Sequence, residues 1–114
     1  MPDTDRLHLV RDCFRAFADA DRDLVERLLA DDLVFSAPPD VGLDRAGYFA
    51  RCWPGAGRVS GFSFVRMAEI GDEVVTTYEA TRPDGTRFRN TEIHGFAGER
   101  IVRIEVYFGW DLDG

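Results

Sequence analysis

Apolar residues in the first part of the chain recur at three- and four-residue spacing. Leu7, Val10, Phe14, Phe17 and Ala18 form one stripe, and Leu24, Val25, Leu28 and Leu29 form a second. The first stripe predicts a helix capped by Thr4, with Asp3 and Asp5 at the positive end of its dipole. The second predicts a shorter helix capped by Asp21 that ends before Asp31 and Asp32. Leu33 to Ala37 reads as a short strand stopped by Pro38 and Pro39, because proline cannot continue a ladder. A loop, PPDVGL, follows. Asp44 then caps a third helix, RAGYFARCW, with Tyr48, Phe49, Cys52 and Trp53 largely on one side, and Pro54, Gly55 and Gly57 end it.

From Phe62 onward the period changes to two. Phe62 to Glu69 and Glu73 to Arg82 read as strands joined by Ile70-Gly71-Asp72, and Thr76 to Trp110 reads as three consecutive antiparallel strands. Pro83-Asp84-Gly85 is a hairpin signal, with proline pre-set for the first turn position and glycine free to take positive φ. A three-residue loop there makes Arg82 face Thr86, Tyr78 oppose Asn90, and Thr76 oppose Glu92. Asn90, Glu92, His94 and Phe96 alternate with Thr91, Ile93 and Gly95, so two ionisable groups share one face of a strand. The last hairpin, FAGERI, leaves its register open by one residue. Val102, Ile104, Val106 and Phe108 are the more apolar set and Arg103, Glu105 and Tyr107 the polar one, which places Glu92 and His94 on the side of Ile104 and Val106.

Three N-terminal helices and a meander of longer strands describe an α+β domain over residues 1–114, in which a curved mixed or antiparallel sheet wraps the helices. Its inward set, Phe17, Phe35, Trp53, Phe62 or Phe64, Tyr78, Val106 and Phe108, would line an apolar pocket with a few polar groups converging on it. At 114 residues there is room for one core and not for two. Apolar residues make up 45%, including nine Phe, which sets the chain apart from disordered sequences.

Charge and composition remove several function classes. Fourteen basic and twenty-one acidic residues give a net charge of −7, which disfavours nucleic acid and anionic membrane surfaces as partners. Every basic residue is Arg, so Schiff-base chemistry, a P-loop lysine and a lysine general base are all excluded. Cys13 and Cys52 have neither CxxC nor metal-finger spacing and read as buried free thiols, as in a reducing compartment. The charged N-terminus and the lack of an apolar run near ~20 residues lead to the expectation of a soluble cytoplasmic protein. His8 and His94 belong to no metal spacing, GAGRVSG does not match the dinucleotide fingerprint, and Ser36, Ser60 and Ser63 have no nucleophile context; neither metal nor cofactor is expected. Asp31 and Asp32 read as a solvated helix end.

Chemistry then rests on Glu92, His94 and Tyr78 as candidate catalytic groups, with Asn90, Phe17, Phe35, Trp53, Val106 and Phe108 as candidate substrate-binding residues. Each polar group has two readings. Glu92 is either an Arg-paired carboxylate on a sheet edge or a pocket acid whose pKa is raised by apolar surroundings. His94 is either a satisfied structural histidine or a proton carrier, and Tyr78 either a core aromatic satisfied by Asn90 or a donor to the ligand.

The helix pair ending in LLADDLVFSAP, the aromatic third helix and the terminal pattern RFRNTEIHGFAGERIVRIEVYFGW resemble the nuclear transport factor 2-like superfamily, specifically its SnoaL-like branch. The resemblance covers essentially the whole chain. It implies a cone-shaped α+β fold with an open pocket, in a superfamily of isomerases, polyketide cyclases, epoxide hydrolases, dehydratases and non-catalytic modules, so the fold leaves function open. It implies that Glu92 stands where ketosteroid isomerases hold a protonated acid at the developing oxyanion. It also puts Ala37 at their general-base position and Cys13 at their oxyanion-hole tyrosine, which argues against that reaction. The terminal His and Asp pair expected of a polyketide cyclase is replaced by Glu92 and His94.

The expectation is therefore a pocket protein for a small apolar molecule. Glu92, assisted by His94 or Tyr78, would move a proton on a carbonyl-bearing ligand as an isomerase, cyclase or lyase would. The alternative is a non-catalytic ligand-binding or dimerisation module. A homodimer through the outer sheet face is expected from Ile93, Tyr107 and the set Arg89, Arg103 and Glu105.

Overall fold

The computed structural model describes residues 5–59 and 61–112. Three helices, α1 (Arg6–Asp19), α2 (Arg22–Leu28) and α3 (Arg45–Arg51), lie against a six-stranded mixed sheet of β1 (Leu29–Ala37), β2 (Asp40–Leu43), β3 (Phe62–Ile70), β4 (Glu73–Thr81), β5 (Arg87–Ala97) and β6 (Arg100–Leu112). The strand order is β2-β1-β6-β5-β4-β3, with β1 parallel to β6 and the other neighbours antiparallel.

Thr4 and Ser60 lie outside the described residues. The cap of α1 is Asp5, whose carboxylate accepts from Leu7 N at 3.0 Å. Asp21 and Asp44 cap α2 and α3 as their sequence positions suggest. α1 ends on Ala20 at φ 55°, and Asp21 N returns to Ala16 O at 2.8 Å, which closes the last turn.

The second helix is shorter than its apolar spacing suggests. It stops at Leu28, and Leu29 already pairs with Ile101 of β6. Both residues are fully buried, so tertiary burial outweighs helical periodicity there. Asp31 and Asp32 consequently sit in β1, not at a helix end, at an irregularity between Leu29 and Val34 that leaves both carboxylates exposed. The segment read as a loop after Ala37 is a tight turn, Pro38-Pro39, followed by the edge strand β2. Ser36 accepts from Gly42 N at 3.0 Å across that hairpin.

The β4–β5 register is the one the three-residue loop demands. Arg82 N donates to Thr86 O at 2.8 Å, Gly85 takes φ 90°, and Tyr78 and Thr76 oppose Asn90 and Glu92. The last hairpin closes with Ala97 opposite Arg100 across a two-residue turn in which Gly98 takes φ 62°. His94 then opposes Ile104, and Glu92 opposes Val106. β5 and β6 carry two bulges, one between Arg89 and Asn90 and one between Gly95 and Phe96. Bulges increase local twist and bend the ladder, which curves the sheet around α1. The core fills the concave side with Val10, Phe14, Val25, Leu29, Leu33, Val74, Ile101 and Ile104.

Candidate functional site

β4 and β5 bring Tyr78, Asn90, Glu92 and His94 onto the concave face through their period of two, and α1 crosses over them. Between them is a cavity of about 190 Å³. Its wall is mostly aromatic. Phe14 is the hub, with edge-on contacts to Phe62 and Tyr78 at 4.9 Å each and to His94 at 5.6 Å between ring centroids.

One polar chain runs through this wall. Asn90 Oδ1 accepts from Gly109 N at 3.2 Å, which turns its amide nitrogen toward the Tyr78 hydroxyl at 3.4 Å. The Tyr78 hydroxyl donates to Glu92 Oε2 at 2.7 Å. Glu92 Oε1 stands 3.5 Å from His94 Nε2. The Glu92 side chain is 15% exposed and that of His94 2%. Among the described residues, His94 Nδ1 and the neighbouring Thr76 hydroxyl have no hydrogen-bond partner.

Burial sets the proton affinities. Removal from water pushes the Glu92 carboxyl up to about 7, partly opposed by the hydrogen bond from Tyr78. The same loss of hydration pushes His94 down to about 4 and holds the imidazole neutral. Tyr78 is raised by burial and by the adjacent carboxyl, so it remains a donor. Among the described residues no arginine lines the cavity, and Glu92 is its only carboxyl group. Near neutral pH Glu92 therefore exists in both protonation states, next to a neutral imidazole. That arrangement can give a proton to an oxygen or take one from carbon.

The substrate-binding candidates divide. Phe17, Phe35, Asn90 and Val106 lie on the cavity wall. Trp53 does not; it stands behind Phe17 and Phe49, at 5.7 and 5.9 Å between ring centroids, because the chain turns into a 3₁₀ helix at Trp53–Gly55. Phe108 does not either. It faces Asn90 across the ladder beside the bulge at Arg89 and Asn90, but it is 59% exposed and outside the cavity wall. Of the pair Phe62 and Phe64, Phe62 lines the cavity.

Six wall residues escaped the sequence reading, Cys13, Phe14, Tyr48, Cys52, Val59 and Phe88, and Ile104 was placed there only by strand alternation. Alternation from Asn90 and four-residue spacing from Phe17 could have found Phe88 and Cys13. Cys13 and Cys52 are free thiols on this wall, pushed up by burial to about 12 and about 11, which makes both poor nucleophiles at neutral pH. Ala37 closes β1 away from the cavity and brings no acid to it. Among the described residues no group of three or more His, Cys, Asp or Glu is placed to hold a metal, and no helix is long and apolar enough to cross a membrane.

Solved structures share this architecture at low identity. A protein of unknown function from Burkholderia xenovorans LB400, described as NTF-2 like, superposes with a TM-score of 0.79 at 20% identity, over 96% of this chain and 87% of its own. An LEH-like epoxide hydrolase from M. tuberculosis gives 0.75 at 22% identity, over 91% and 78%. A de novo designed protein with a curved β-sheet gives 0.80 at 11% identity, over 95% and 88%. That last likeness shows how little the fold by itself says about chemistry. No curated protein sequence matches the chain. The family model described as the SnoaL-like domain matches residues 10–104, and the chain belongs to that family within the NTF2-like superfamily.

Proposed function

We propose that this protein is a cofactor-independent general acid/base enzyme of the isomerase, cyclase or lyase type, acting on a small apolar ligand that carries a carbonyl group. The observation that carries this reading is a carboxyl group inside an aromatic cavity with no cationic partner, held by the Tyr78 hydroxyl and placed beside a neutral imidazole. A carboxylate kept only for structure would be expected to face an arginine, as Glu79 and Glu73 do on the outer surface. Glu92 carries the proton, His94 stands beside it as a neutral imidazole with Nε2 at 3.5 Å, and Tyr78 fixes the carboxyl orientation. The likeness to an epoxide hydrolase supports a fold that hosts pocket chemistry, without transferring that reaction.

Glu92→Gln keeps the shape and the Tyr78 contact but cannot exchange a proton. It should fold normally and lose turnover by about a hundredfold or more on a substrate found by screening cyclic enones, ketones and epoxides. In the parent enzyme the rate profile should break near pH 7, and the break should vanish in the variant. Retention of full activity by Glu92→Gln would remove the carboxyl from the mechanism.

A second reading, a ligand-binding module without turnover, is favoured by one observation: the cavity holds a single carboxyl, and Ala37 supplies no second one. Under that reading Glu92→Gln changes affinity, and no member of the screen is converted.

A further inference from the structure

The space beside Glu92 is about 190 Å³, slightly more than the ~150 Å³ apolar cavity that accommodates benzene. That volume accommodates one ring with little to spare. At its outer end the wall is made by Phe88 and Asn90, and the same two residues form the inner edge of an open groove floored by Phe108 and Gly109 and rimmed by Trp110. Phe108 lies opposite Asn90 in the ladder, so it belongs to the same face as the cavity. Phe108 is 59% exposed, whereas Trp110, opposite Arg89 in the ladder, stacks on that guanidinium at 5.6 Å. A large apolar ring left open in continuity with a buried site marks a surface that something covers. Arg82, the one arginine among the described residues of the groove, is engaged by Asp111 at 2.9 Å and stacks on Phe88, so these residues offer no spare positive charge for an acidic group.

We propose that the ligand has two parts: a ring-sized, carbonyl-bearing head seated against Glu92, and an uncharged apolar tail that leaves past Asn90 and lies on Phe108. The proposal rests on the reading of Glu92 as the group that handles a carbonyl ligand. It adds what that reading does not contain, a limit on the width of the head and a path for the rest of the molecule.

The test is a titration series with cyclohexenone, its 4-propyl, 4-pentyl and 4-heptyl derivatives, and a fused tricyclic enone, followed by amide chemical shifts of the whole chain. Affinity should rise roughly twofold per methylene over the first few carbons, half of the gain for complete burial, because the groove covers one side of the tail. Phe108→Ser, at an exposed position that the fold does not depend on, should abolish that rise and leave the affinity of the parent ring unchanged. The fused enone should bind about tenfold or more weakly than an alkylated ring of similar size. Affinity independent of tail length, a tail gain that survives Phe108→Ser, or a fused enone bound as tightly as the alkylated ring would overturn the two-part ligand while leaving the role of Glu92 standing. If no enone binds, or if Glu92→Gln leaves ring affinity unaltered, the reading of the site itself fails, and this proposal with it.

Discussion

Glu92 and His94 titrate in opposite senses although one cavity wall holds both. Between pH 4.5 and 7 the folded chain keeps a proton on Glu92 that the unfolded chain has released, so this group lowers stability as pH rises. Between pH 4 and 6.5 the unfolded chain holds a proton on His94 that the folded chain rejects, so this group raises stability over the same range. The two contributions nearly cancel in the parent protein. Removing one exposes the other: the unfolding free energy of Glu92→Gln relative to the parent should increase by about 3 kcal/mol from pH 4.5 to 7, at ~1.4 kcal/mol per pKa unit. Urea denaturation at a series of pH values measures it, and a flat difference curve would mean that the carboxyl titrates as an exposed group does. The alternation N-x-E-x-H shows which side chains share a face, whereas the displacement of both pKa values depends on Phe14 and the rest of α1 covering that face, a contact more than seventy residues distant in sequence.

At the scale of elements, the hairpin of β5 and β6 sets the geometry of the polar chain. Gly109 sits in the bulge opposite Arg89 and Asn90, and a Cβ there would overlap the Arg89 carbonyl oxygen. Only glycine lets the ladder approach closely enough for Gly109 N–H to reach Asn90 Oδ1. Gly109→Ala should cost about 1–3 kcal/mol in stability, and it should release Asn90 from Tyr78 and shift the Glu92 titration seen by carboxyl NMR. A variant with unchanged unfolding midpoint and unchanged Glu92 titration would show that the strand relaxes without disturbing the site. The bulge beside Phe96 left a trace in the sequence, since the alternation of RIVRIEVYFGW breaks at the consecutive apolar pair Ile101 and Val102, and Val102 is the residue without an opposite number. The bulge beside Asn90 left no break in the apolar pattern, and its extra residue, Gly109, appears only once the partner strand is in place. The same holds for Leu29, whose helical spacing gave no sign that Ile101 would draw it into the sheet.

At the scale of the whole molecule, the outer sheet face differs from the concave one in how its charges are matched. Glu79 bridges Arg87 and Arg89, Glu73 holds Arg103 at 2.6 Å, and the Tyr107 hydroxyl donates to Glu105 at 2.9 Å. Arg89, Arg103 and Glu105 thus already have partners within one chain, so a dimer through this face would draw on apolar contact more than on exchanged ion pairs. We propose such a dimer, centred on Ile93 and Tyr107, with Tyr107 53% exposed. Light scattering at micromolar concentration should give twice the mass of one chain, and Tyr107→Glu should halve it. A monomeric parent protein would set the idea aside.

What the sequence determined by itself were the properties that depend on neighbours along the chain. Asp21 and Asp44 started the second and third helices, Pro83-Asp84-Gly85 set the β4–β5 register, and alternation put Tyr78, Asn90, Glu92 and His94 on one face. Those choices come from backbone chemistry and strand period and need no distant partner. The tertiary structure decided what distance in space controls: that Phe108 and Trp53 leave the cavity, that Cys13 and Tyr48 enter it, that β1 lies parallel beside β6, and that Glu92 loses its water without gaining a cation. Burial and desolvation depend on everything that packs around a group, and for Glu92 that means α1 packed over the concave face while β4 and β6 flank β5 within the sheet.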